Sequence, residues 1–320
     1  MAAMFDIDAY LNSLSSKILQ IKIVMQGITH IGDLRRFTNL REVYLSYNEL
    51  TEIPWLPPSV RELDISYNRF TVMPSIVSCV QLYYLNCVGN NLITLGELPS
   101  EMTHLRCDRN QIVDIGVLPY KLQELSCSNN NLVKISELPL TLTQLLCSCN
   151  NLTEIPKLPE NLKYLDCSSN QLEKLPKFNR VLQRIYCFRN RLTDLPPFNV
   201  NMTEVYCYDN NIARLPLLTR GIYRIMFFGN PIHDIINSDD MDVIRYQLMV
   251  WYNFRYLYHA IKCYRKKWHE ILWKKIREPK AMMQCHPDIL ARSLGITEEN
   301  EDCPIETEDL EKVMIEWSLY

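Results

Sequence analysis

Glycine is scarce in this sequence, with eight residues in 320. No Gly-rich loop is present that would let backbone amides close around a phosphate, so the commonest nucleotide-binding signature is missing. Neither sign of charge is in excess: the net charge is −3 at pH 7, a balance that points to no polyanionic partner. No run approaches the ~20 apolar residues needed to cross a bilayer. The opening stretch, MAAMFDIDAYLNSLSSK, carries two aspartates and no basic cluster ahead of an apolar segment, unlike a secretory leader. The expectation is an intracellular protein whose thiols stay reduced. With 47% hydrophobic and 22% charged residues, the chain has ordinary means to bury a core.

Cysteine, by contrast, is plentiful and regular. Seven of the twelve stand on a twenty-residue stride: Cys87, Cys107, Cys127, Cys147, Cys167, Cys187 and Cys207. Asparagine keeps the same stride three positions later. Asn48 and Asn68 lead, and after one longer step Asn90, Asn110, Asn130, Asn150, Asn170, Asn190, Asn210 and Asn230 follow. Aligned on the asparagine, the chain reads L-x-x-L-x-L/C-x-x-N-x-L, as in Leu122, Leu125, Cys127, Asn130 and Leu132. Ten clear copies run from Leu40 to Ile235. An imperfect eleventh starts at Ile18 with Gln26 in the asparagine slot. This is the leucine-rich-repeat pattern at the short end of its period range.

The spacing carries a physical reading. A short strand alternates its side chains, so the fourth and sixth positions point inward. No single repeat can bury its apolar face alone, and stacking makes a parallel sheet. The asparagine is placed to turn the chain out of the strand and bond the backbone of adjacent coils. The rest of each repeat is short and proline-rich, as in Ile155-Pro156-Lys157-Leu158-Pro159, which favours an extended or polyproline segment over a helix. The expected fold is an α/β repeat: a leucine-rich-repeat solenoid with a concave parallel β-sheet, an extended convex side and a C-terminal helical extension. Its expected parts are an N-terminal helical cap over 1–17, the solenoid over 18–236, a capping and basic amphipathic helix over 237–279, and an acidic tail over 280–320.

Within that class the resemblance sharpens. LSCSNNNLVKISELP, residues 125–139, resembles the short repeats of giant DNA viruses that infect amoebae, as does the leader IDAYLNSLSSK followed by QGITHIGDLRRFTNL. The likeness covers residues 7–236 and implies a viral protein that meets a host factor, in the host cytoplasm. Bacterial effector proteins are similar in repeat class, with LPxLP segments, and some append a ubiquitin-ligase domain. The residues that follow the repeats are expected to be too few for that domain, so an effector-like, ubiquitin-ligase-related enzyme is the least favoured expectation.

Four explanations compete for the cysteine file. Neighbouring strands ~4.8 Å apart would bring cysteines within disulfide reach, but seven is odd and the compartment is expected to be reducing. Zinc needs four ligands in a tetrahedron, whereas one file of inward side chains supplies a line. A redox device would need an activated thiol. The slot is instead filled by Leu45, Ile65 and Phe227 in the outer copies, so cysteine there reads as a small apolar core residue. Cys149 falls two positions later, on the exposed edge, with nothing beside it to lower its pKa. Cys79, Cys263, Cys285 and Cys303 have no ligand spacing. Catalytic, cofactor and metal sites are accordingly expected to be none.

The outward positions of the sheet are where a solenoid binds. They are bland in the central copies, with Ser126, Ser128 and Asn129, then Leu146, Ser148 and Cys149. The C-terminal copies present Tyr164 and Asp166, then Arg184, Tyr186, Phe188 and Arg189. Glu204, Tyr206, Tyr208 and Asp209 come next, followed by Arg224, Met226 and Phe228. Tyrosine and arginine dominate interface hot spots, which makes this the expected partner-binding face. Stacking between strands is the competing role for Tyr186, Tyr206 and Tyr208. A smaller group on the first copies, Glu42, Tyr44, Tyr47, Glu62, Asp64 and Tyr67, reads as a solvated face.

Beyond the repeats, Asn237-Ser238-Asp239-Asp240 supplies helix-capping residues. Val243, Val250, Phe254, Leu257, Ile261, Trp268 and Ile271 then approximate a helical face that Pro279 ends at the latest. The opposite side is basic, through Lys262, Arg265, Lys266, Lys267, Lys274, Lys275 and Arg277. That stretch, 261–277, gives a second reading: RNA or anionic-membrane binding. The acidic tail that follows would compete for the same helix. An enzyme is the third and weakest reading, because no catalytic constellation is present.

Overall fold

A computed structural model describes residues 5–263, apart from 237 and 239. The chain falls into two compact units, Met1–Asn237 and Ser238–Tyr320. The first opens on helix α1 (Ile7–Ser13), whose N-cap Asp6 accepts a 2.9 Å hydrogen bond from the Ala9 N–H. Ile7 and Leu11 of α1 are buried, and Arg36 of the first coil donates to the Leu11 carbonyl. Covering an open solenoid end in this way hides the apolar edge of the first coil.

Eleven three-residue strands follow, one per repeat: β1 (Gln20–Lys22), β2 (Glu42–Tyr44), β3 (Glu62–Asp64), β4 (Tyr84–Asn86), β5 (His104–Arg106) and β6 (Glu124–Ser126), then β7 (Gln144–Leu146), β8 (Tyr164–Asp166), β9 (Arg184–Tyr186), β10 (Glu204–Tyr206) and β11 (Arg224–Met226). They form one parallel sheet in strict chain order. The imperfect first copy contributes a strand like the rest, because Ile21 and Ile23 keep the inward positions and are buried. Register never slips: Glu124 faces Gln144, Leu125 faces Leu145 and Ser126 faces Leu146. A constant inward leucine explains this, since a one-residue slip would turn every apolar side chain to solvent.

Backbone pairing runs on past the strands. The Cys127 N–H donates to the Leu146 carbonyl at 2.8 Å, and the Asn129 N–H to the Ser148 carbonyl at 2.8 Å. On the convex side a tight turn returns the chain, as where the Leu162 N–H reaches the Pro159 carbonyl at 3.2 Å. No helix forms on the outer side of these repeats, in keeping with their prolines. The core is a set of continuous columns: Leu122, Leu125, Cys127 and Leu132 and their equivalents in neighbouring coils are buried.

A short 3-10 helix (Pro231–Asp234) closes the first unit. The second unit holds helix α2 (Met241–Cys263). Of the expected capping residues, Asp240 does the work, accepting from the N–H groups of Asp242 and Val243 at 2.8 and 3.1 Å. The expected apolar face needs correction at its start. Val243 is exposed, while Ile244 and Leu248, four apart and therefore on one side of the helix, are buried. No helix among the described residues is long and apolar enough to cross a membrane. The basic stretch beyond Cys263 and the acidic tail lie outside the described residues.

Candidate binding face

The asparagine ladder is the frame on which the face is built. Asn130 shows its chemistry. Its Nδ2 donates to the carbonyls of Cys107, Cys127 and Ser128 at 3.0, 3.1 and 3.3 Å. Its Oδ1 accepts from the Ile112 N–H at 3.0 Å. One amide therefore satisfies groups in its own coil and in the coil before it. The pattern repeats from Asn48 to Asn230. A second, shorter ladder on the convex side escaped the sequence reading. Buried Asn179 donates to the Leu162 carbonyl at 2.9 Å, and Asn199 to the carbonyls of Asn179 and Leu182, both at 2.9 Å.

The seven file cysteines are free and buried. Burial pushes their thiols up, to about 12 for Cys207 and higher for the others. Such thiols are the opposite of activated nucleophiles. This applies also to Cys207-Tyr208-Asp209, where a thiol stands two residues from a carboxylate but lies inside the core. Cys149 is exposed. Among the described residues no cluster of histidine, cysteine and carboxylates has the arrangement to hold a metal.

Every residue preceding a ladder asparagine adopts a left-handed backbone, from Tyr47 (φ 56°) through Arg109 (55°), Cys149 (53°) and Arg189 (52°) to Asp209 (54°). The turn that starts each convex segment requires it. The available signal was Gly89 and Gly229 in the same slot, with Asn129 between them. A Cβ on Gly229 would stand 2.4 Å from Asp209 Oδ1, so a side chain there requires the Asp209 carboxylate to move, while the φ itself is one that Arg189 and Asp209 adopt in the same slot.

In the C-terminal copies the face carries two files of stacked rings. Phe188, Tyr208 and Phe228 stack at 4.4 and 4.5 Å between centroids, with planes 7° and 13° apart. Tyr186 stacks on Tyr206 at 4.5 Å and 13°, and Tyr164 leans on Tyr186 at 5.3 Å and 55°. The Arg224 guanidinium lies 5.5 Å from the Tyr206 ring. The stacking role for Tyr186, Tyr206 and Tyr208 is thus present. It follows from the strand spacing of ~4.8 Å, which suits ring-on-ring contact. Stacking consumes ring faces, and the Tyr206 hydroxyl is bonded to Glu204.

Charges are arranged around these rings. Arg184 Nε lies 3.1 Å from Glu204 Oε1, and Arg189 Nε lies 3.5 Å from Asp209 Oδ2. Glu204 is buried rather than presented, which strand position alone did not reveal. It accepts from the hydroxyls of Tyr223 (2.6 Å) and Tyr206 (3.2 Å). The Tyr223 bond chiefly holds its carboxyl below the usual range. Glu204 orders its neighbours, and Arg184, Arg189 and Arg224 are the exposed charges. At the other end, Tyr44 donates to Glu62 Oε2 at 2.6 Å, Tyr83 donates to the same carboxylate, and Tyr47 stacks on Tyr67 at 4.4 Å.

The middle of the face is less bland than the serines implied. A hollow of about 440 Å³ lies over β4–β7, lined in part by His104, Arg106, Asp108, Glu124 and Gln144. His104 Nε2 is 3.8 Å from Glu124 Oε1, and its Nδ1 is 2.8 Å from Thr103 Oγ1.

Eleven parallel coils, an asparagine ladder and a side-chain-rich inner sheet define a leucine-rich-repeat solenoid. The family model described as Leucine Rich Repeat matches residues 161–179. No curated protein matches the sequence. Among solved structures, the chain is similar to YopM, a leucine-rich effector protein from Yersinia pestis, at 26% identity over 62% of this chain and 56% of that one, with a TM-score of 0.60. It is also similar to the functional domain of InlJ from Listeria monocytogenes, which includes a cysteine ladder: 22% identity, 67% and 54% coverage, TM-score 0.51. A third likeness is to an octameric complex of Latrophilin 3, Unc5D and the leucine-rich repeats of FLRT2: 21% identity, 62% and 78% coverage, TM-score 0.51. The chain spans a little over half the length of the two bacterial chains. Proteins of this fold are typically non-enzymatic modules for protein–protein interaction.

Proposed function

We propose that this protein is a non-enzymatic interaction module that binds a protein partner through the concave face of β8–β11. The observation that carries this reading is the pair of ring files flanked by arginines on one side of a rigid sheet. Tyrosine and arginine are the residues that most often hold interface energy. Here the rings are held in place by one another, so little side-chain entropy remains to be lost on binding. Phe228 is 46% exposed and the Arg189 side chain 66% exposed, so the tier ends in accessible groups. The repeat resemblance to giant-virus proteins makes a host protein the first partner class to seek, inside the cell.

The test is affinity capture from amoebal lysate with wild type beside a Tyr186→Ala/Tyr206→Ala/Tyr208→Ala variant of matched folded content. Wild type is expected to retain proteins that the variant loses. Identical captured sets would place the binding elsewhere, and an empty wild-type set would count against an interaction module.

A further inference from the structure

Resting on that reading, we propose that the face recognises an arginine side chain of its partner, seated on Asp166 at the open end of the Phe188 ring file. The file Phe188–Tyr208–Phe228 has a beginning. One coil earlier the same position is Ser168, and before it come Ser148 and Ser128, too small to extend the stack. The face of Phe188 that looks along the solenoid toward β8 therefore has no ring against it. Tyr186, beside it, has part of its corresponding face taken by the tilted Tyr164. The result is a short step in the sheet surface, a serine floor meeting an aromatic wall.

A carboxylate stands in that step. Asp166 ends β8 and faces Tyr186 across the register. Its Oδ1 accepts from the Ser168 N–H at 3.0 Å and the Ser168 hydroxyl at 2.6 Å, which fixes its orientation. Among the described residues no hydrogen bond or ion pair is made by its Oδ2. The neighbouring cations are committed, Arg184 to Glu204 and Arg189 to Asp209. Asp166 is thus a half-buried carboxylate without a counter-charge, bonded to the serine that stands one coil before the open face of Phe188.

The chemistry selects the occupant. An aromatic side chain or a nucleobase would satisfy Phe188 but would desolvate Asp166 with nothing to compensate. An ammonium ion would pair with the carboxylate but is a compact charge with no plane to lay on the ring. A guanidinium does both: it stacks on an aromatic face and donates in its own plane to a carboxylate. An acidic or phosphorylated ligand is repelled.

The experiment is a random-peptide display selection on the full chain, followed by affinity measurement of the enriched peptides. Enriched peptides are expected to share an arginine whose replacement by lysine weakens binding. Asp166→Asn, which retains the Oδ1 acceptor for Ser168 and hence the local fold, is expected to weaken the same peptides on the order of tenfold or more. Phe188→Leu, apolar but not planar, is expected to erase the preference for arginine over lysine. Peptides that lack arginine, or that bind Asp166→Asn unchanged, yet are lost in the triple tyrosine variant would overturn this inference and leave the proposed function standing. No peptide sensitive to either set of substitutions would overturn both.

Discussion

A cysteine of the twenty-residue file is a neutral apolar filler, and that has a consequence for pH. Burial raises the folded-state thiol values of the file, with Cys207 at about 12, above the ordinary value near 9. Below pH 9 the thiol is neutral in both folded and unfolded chains, and its contribution is fully present. As pH rises past 9 the unfolded chain ionises first, so folding loses stability until the folded value is reached. Each thiol contributes a slope approaching about 1.4 kcal/mol per pH unit. Under reducing conditions the melting temperature is expected to fall steeply between pH 9 and 11, and Cys127→Val/Cys147→Val to flatten the fall. An unchanged slope would contradict the burial argument. Cys149 behaves differently because its constraint is backbone, not burial. At φ 53° a β-branched side chain is strained, so Cys149→Val is expected to cost about 1–2 kcal/mol in urea denaturation, with Cys149→Gly within about 1 kcal/mol of wild type.

The element that matters is the three-residue strand with its following turn. Inward leucine and cysteine were legible in the sequence because alternation and a fixed stride leave no other assignment for them. The outward residues were legible by position only. Position put Glu204 on the binding face, yet Tyr223, from a neighbouring coil, covers and bonds it. Position also left Tyr206 and Tyr208 undecided between stacking and binding, and the ring distances show the stack. Tyr208 has a ring on each side, at 4.4 and 4.5 Å. Tyr208→Ala is therefore expected to destabilise by about 1–3 kcal/mol, as two aromatic contacts would. Arg191→Ala, exposed and outside both ring files and salt bridges, is expected to cost under about 0.5 kcal/mol. Equal losses in chemical denaturation would show that the stack carries no energy.

At the scale of the molecule, the solenoid is a one-dimensional object in which each coil touches only its neighbours. The ladder makes that coupling explicit, since Asn130 and Asn150 both donate to the Cys127 carbonyl, at 3.1 and 3.0 Å. Asn130→Ala is expected to cost on the order of 3 kcal/mol through orphaned backbone groups. The pair Asn130→Ala/Asn150→Ala should depart from additivity, because the first loss already disturbs the shared acceptor. Asn68→Ala/Asn190→Ala, six coils apart, should add within about 0.5 kcal/mol. Equal coupling in the two cycles would mean that the coils do not communicate through the ladder.

The sequence by itself determined the number of coils, their register, the cysteine columns and the asparagine ladder. Each of these follows from one short pattern repeated at constant spacing, and a repeated pattern has one way to bury its apolar face. The tertiary structure alone decided which outward residues are available. Glu204 is covered, Asp166 lacks a counter-charge, and the Phe188 file ends over a serine. These depend on side chains twenty residues apart in sequence that meet only when coils stack, and a pattern read along one coil does not contain its neighbour.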